Sequence, residues 1–148
     1  MKQVRIVRML TIAAGTVVCF YVAWFAVGLL LVGSPCANEL LAEVASPDGK
    51  WKAVVFQRGC GATTGFSTQV SLLPAASVMP NESGNAFRSD TNHGAAPSGP
   101  GGGPAVGVVW RSPIELAISH HPAARVFAAE RSVGNVEVRY EQFTPTGG

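Results

Sequence analysis

Two hydrophobic patterns divide this chain. Across residues 9–33 no charged residue interrupts the run MLTIAAGTVVCFYVAWFAVGLLLVG. After residue 38, apolar positions recur at every second residue in short runs separated by Gly, Pro, Asn and Asp. The first pattern predicts a helix, longer than the roughly 20 apolar residues that cross a bilayer core. The second predicts strands, whose alternate side chains face opposite sides.

Strands are expected over 39–45, 51–57, 67–73, 106–110, 114–119 and 125–129, with the clearest alternation near the end. There Val136, Val138 and Tyr140 point one way, and Glu137, Arg139 and Glu141 the other. In the turn Ser46-Pro47-Asp48-Gly49, proline presets φ and glycine supplies a positive φ, so 39–45 should pair antiparallel with 51–57. Pro113 falls in the turn after 106–110, where a missing N–H is tolerated. Trp51 and Trp110 stand among apolar neighbours and read as core anchors. The expected fold is all-β: a small antiparallel sheet or compact sandwich of six to eight strands behind one N-terminal transmembrane helix.

Composition changes over 79–104, which reads as a Gly/Pro-rich loop. The stretch NHGAAPSGPGGGP (92–104) reads as an irregular surface loop unable to bury apolar area. It exceeds ordinary hairpin loops, which makes it a candidate partner-contact loop through His93, Gly94, Ser98, Gly101, Gly102 and Gly103.

Charge orients the first segment. Lys2, Arg5 and Arg8 precede the apolar run, which places 1–8 in the cytoplasm, 9–33 across the membrane and 34–148 outside. The localisation expected is the bacterial inner membrane, single-pass. A cleaved signal peptide is the main rival, with small residues at Val32-Gly33-Ser34, but its apolar region usually runs about 7–15 residues. Acylation of Cys36 would want a Leu-like residue three places earlier and a small one just before; Gly33 and Pro35 stand there. The outer 115 residues suit one domain. They carry eight basic and nine acidic residues. Nucleic acid is therefore not an expected partner, since no concentrated basic face exists to neutralise phosphates.

Cysteine chemistry follows from this topology. Cys19 lies in the apolar run as a small hydrophobe. Cys36 and Cys60 both fall outside, where disulfides persist, and their pairing would stabilise the fold by roughly 3 to 3.5 kcal/mol on a chain-entropy argument. The rival reading makes Cys60 a nucleophile on the bend Arg58-Gly59-Cys60-Gly61, assisted by His93, His120 or His121. A disulfide removes that nucleophile. Thr63, Thr64 and Ser67 are placed to bond the bend's own backbone.

His120 and His121 are neighbours on a strand and point apart, so they do not converge on a metal. The glycines at 101–103 lack the Lys-Ser or Lys-Thr of a phosphate loop. No catalytic residue, cofactor or metal site is assigned from the sequence, and an enzyme is not the expected class.

The blocks SPDGKWKAVVFQRGCGATTGFSTQVSLLP (46–74) and DTNHGAAPSGPGGG (90–103) resemble those of a family of small uncharacterised bacterial envelope proteins. The resemblance continues through the Trp110 strand and His120-His121-Pro122. It implies a membrane-anchored envelope location and no particular activity. The single Ser-Pro-Asp-Gly-Lys turn is also similar to that of periplasmic β-propeller repeats, which supports a hairpin and nothing more. The function expected is a membrane-anchored extracytoplasmic binding or structural domain contacting a cell-envelope protein. The alternatives are a small envelope enzyme using Cys60 or a histidine, and a membrane-held immunity or inhibitor protein.

Overall fold

A computed structural model describes residues 2–31, 36–61 and 64–143. The chain divides into two compact units, 1–35 and 36–148.

The first unit is the helix α1, Lys2–Leu31. Thirty residues at 1.5 Å each give about 45 Å. Phe20 and Trp24, one turn apart, stack with centroids at 6.1 Å. Among the described residues, no helix is long and apolar enough to cross a membrane. The span over 9–33 therefore rests on the sequence pattern.

Among the described residues the second unit contains nine strands. They are β1 (Ala37–Ala45), β2 (Trp51–Gly59), β3 (Ser67–Pro74), β4 (Phe87–Asp90) and β5 (Val106–Ser112). β6 (Glu115–His120), β7 (Arg125–Ala129), β8 (Ser132–Val133) and β9 (Val136–Gln142) follow. One sheet has the order β1-β2-β3-β4-β7, the other β5-β6-β9-β8. Period-two patterning explains their contact. Ala53, Val55, Val70, Leu72 and Phe87 from the first sheet share one buried cluster with Leu116, Ile118, Val136 and Val138 from the second. The domain is thus a two-layer sandwich.

The turn after β1 forms as its residues dictate. Gly49 adopts φ 69°, its N–H donates to Ser46 O at 2.9 Å, and Ser46 Oγ accepts from Trp51 N at 3.0 Å. Trp51 and Trp110 are half-buried and pack against the core cluster from its margin.

Two expectations need correction. The stretch 79–104 is not wholly irregular: β4 lies within it, paired on both sides by β3 and β7. Phe87 and Ser89 point into the core, completely buried. Nor is every pairing antiparallel, because β6 and β9 run parallel from Glu115↔Glu137 to His120↔Gln142. Between them the chain crosses to the first sheet to form β7, then returns.

The outer face of the first sheet is also closed. Val54 and Phe56 are fully buried outside the shared cluster. On their side, Asn38 Nδ2 donates to Pro80 O (3.1 Å) and Glu82 O (2.7 Å), and Gly84 N donates to Gln69 Oε1 at 2.7 Å. These bonds tie the segment before β4 onto the sheet.

Candidate functional site

Three features converge at one corner of the sandwich: the disulfide, the glycine-rich segments and the edge of β1. Cys36 and Cys60 are bonded, joining the residue before β1 to the residue after β2. Their placement follows the register, since Ala37 lies opposite Gly59. Beyond Cys60 the bend is held by Thr64, whose Oγ1 donates to Gly61 O at 3.1 Å and accepts from Cys60 N at 3.3 Å. Ser67 Oγ donates to Arg58 O at 3.2 Å. Both hydroxyls serve the backbone, as expected; Thr63 lies outside the described residues.

The glycines of the two segments make a shelf for Phe66. A Cβ on Gly59 would stand 3.0 Å from the Phe66 ring, and one on Gly102 would stand 2.7 Å from it. The ring itself is 49% exposed. Gly101 and Gly103 are buried, and a Cβ on either would collide with Gln57 or Thr68. Gly99 N donates to Gly103 O at 2.6 Å, and Ser98 bridges to Pro104. Among the six candidate contact residues, Gly101 and Gly103 thus face the sheet. Ser98, Gly102, His93 and Gly94 are exposed.

His93 belongs to a left-handed turn: Asn92, His93 and Gly94 have φ of 50°, 56° and 91°. Asp90 begins this turn, accepting from Asn92 N at 2.8 Å. Its carboxyl also takes a two-pronged bond from Arg125, Nε to Oδ1 at 3.1 Å and Nη2 to Oδ2. That guanidinium, with the Asn92 N–H adding to it, holds the Asp90 carboxyl below the usual carboxylate range.

The histidines do not assemble. His120 is buried with its ring 5.2 Å from that of Phe87. Its Nδ1 lies 3.1 Å from His121 O. His121 Nδ1 accepts from Ala123 N at 3.1 Å and closes the next turn. Among the described residues no group of three His, Cys, Asp or Glu side chains is placed to hold a metal.

Sequence reasoning missed an apolar cleft of about 170 Å³ beside β1. Leu41 and Ala42 form one wall, Val55 and Thr68 the floor, and the 100–106 segment the other wall. A bulge at Leu41 creates it, because the register slips between Leu40 and Ala42; such an extra residue bends the strand. The run Leu40-Leu41-Ala42 gave a faint signal, three apolar residues in succession on an otherwise half-polar strand.

With this geometry in hand, comparison with known proteins adds no relative: no family model, curated protein or solved structure matches the chain.

Proposed function

We propose that the chain is a membrane-anchored module whose β domain lies outside the cytoplasm of a bacterial cell and binds another envelope protein. The observation that carries this reading is the Cys36–Cys60 disulfide. Such bonds persist in oxidising compartments, and this one follows directly on a basic-flanked apolar run long enough to span a bilayer. The bond also occupies the sulfur that a thiol-dependent enzyme would need.

The test is a phosphatase fusion after residue 148, using a reporter active only after export, with peptide mass spectrometry of non-reduced membranes. Reporter activity and a linked 36–60 peptide are expected. An inactive fusion would overturn the topology. A free Cys60 would return the thiol chemistry to consideration.

A further inference from the structure

We propose that β1 and the adjoining cleft form a docking site for an extended peptide segment of another protein. The peptide adds a strand to the sheet, seats one apolar side chain in the cleft and places basic residues beside Glu39 and Glu43. This rests on the reading of the domain as a binding module and specifies where and what it binds.

The strand edge comes first. β1 is an outermost strand of its sheet, and seven of its nine residues are exposed. Edge strands present unpaired N–H and C=O groups that template pairing with another chain. Their direction follows from the backbone bonds: Ser46 N donates to Trp51 O at 2.8 Å, so Ser46, Val44 and Ala42 face β2 and Glu43 between them faces the open side. Lys50 O accepts from Ala75 N at 2.9 Å, so Phe56, on the same alternation, faces β3, and Leu40 opposite it turns its N–H and C=O to the open side as well. Leu40 and Glu43, on either side of the bulge, are left for a partner.

The cleft fixes what the partner carries. At about 170 Å³ it falls below the roughly 300 Å³ at which pockets for whole small molecules begin. It compares with the roughly 150 Å³ apolar cavity that admits benzene. One aliphatic or single-ring side chain fits. Leu41 and Ala42 belong both to the edge strand and to the cleft wall, so a strand laid along β1 delivers a side chain there. Backbone pairing with a pocket for a single side chain is the usual logic of strand addition.

Charge selects between occupants. Glu39 and Glu43 are the charged residues of β1, and Lys52 offsets Glu43 at 3.2 Å. A second copy pairing β1 with β1 brings four carboxylates into one two-stranded ladder, and like charges opposed across strands destabilise it. A segment with Lys or Arg flanking an apolar residue meets no such repulsion.

The probe is a phage-displayed library of random heptapeptides, panned on the full chain in detergent micelles. Enrichment of sequences alternating apolar residues with Lys or Arg is expected, and bound peptide should slow amide exchange at Leu40 and Glu43. Leu40→Pro removes an outward N–H without touching the ladder to β2. Ala105→Leu fills the cleft from its other wall. Each should weaken capture at least 10-fold at unchanged melting temperature, and Glu39→Lys should weaken it several-fold. Should Leu40→Pro fail to fold, Ala105→Leu decides. No enrichment would overturn the site. Enriched peptides indifferent to both substitutions would also overturn it, while leaving a binding module with a different surface. A dimer that Leu40→Pro dissociates would assign the edge to a second copy and reject the peptide.

Discussion

The ring of Phe66 occupies the space a side chain would need at Gly102: a Cβ there would lie 2.7 Å from Cδ2. Gly102 also holds φ +81°, which L residues rarely adopt. At Gly103 the obstruction is backbone, with Thr68 N 2.7 Å from the added carbon. Phe66 can swing aside and Thr68 N cannot. Gly103→Ala should therefore cost about 2–3 kcal/mol, and Gly102→Ala about 1–2 kcal/mol. Gly65→Ala, with open space around it, should stay within about 0.5 kcal/mol. Urea unfolding of the three variants checks the order; equal losses would contradict it.

Alkaline stability turns on Tyr140. Its hydroxyl sits between Ala86 O (3.1 Å) and Glu130 O (2.7 Å). Burial, with a smaller push from the Glu130 charge, raises its pKa to about 12. The folded state thus keeps a proton that the unfolded chain loses near pH 10. Stability from this group is full below about pH 10 and falls as pH rises toward 12. Melting temperature should be level up to that window and drop within it. Tyr140→Phe, at an intrinsic cost of about 0.5–1.5 kcal/mol, should reduce the drop.

The acid side depends on Asp90 and Asp48. Arg125 depresses Asp90, and the Ser46 hydroxyl, with the Lys50 N–H, depresses Asp48. Depressed carboxylates contribute stability above the unfolded value near 3.8, lost as pH falls through the folded value. Asp90→Asn should flatten the decline in melting temperature below about pH 4. A decline of unchanged steepness would remove this pair from the explanation.

Reduction should tell at once. The disulfide spans 24 positions, and opening it should remove about 3.5 kcal/mol on the chain-entropy argument. A paired Cys36→Ser and Cys60→Ser variant should unfold at correspondingly lower urea, and reductant should leave that variant's midpoint unmoved.

Much of the sandwich was legible from period alone. In β9 the buried Val136 and Val138 alternate with exposed Glu137 and Arg139. The Cys36–Cys60 pair could be read because residues 34–148 hold two cysteines, which allow a single pairing. β4 was hidden by its brevity and by Ser89, a polar residue that is fully buried. It sits among Gly, Asn and Asp that signal turns. The parallel β6–β9 pairing could not be read locally, because alternation carries no direction. The cleft escaped for a related reason: a bulge is one residue in one strand, and the apolar run Leu40-Leu41-Ala42 that marks it fits a buried strand equally well.

The crossing between β6 and β9 sets a schedule for assembly. The hairpin β1–β2, closed by Cys36–Cys60, involves residues 36–60 and needs nothing later in the chain for its pairing. The shared core does, because Val136 and Val138 belong to it. A chain emerging from its N-terminus therefore acquires its covalent clasp long before its interior can shut. A nascent chain halted at residue 130 should carry the 36–60 bond yet leave Phe87 and Leu116 open to solvent, as pulsed exchange would read. Until β9 arrives, the clasped hairpin holds half of a sandwich with its apolar face bare.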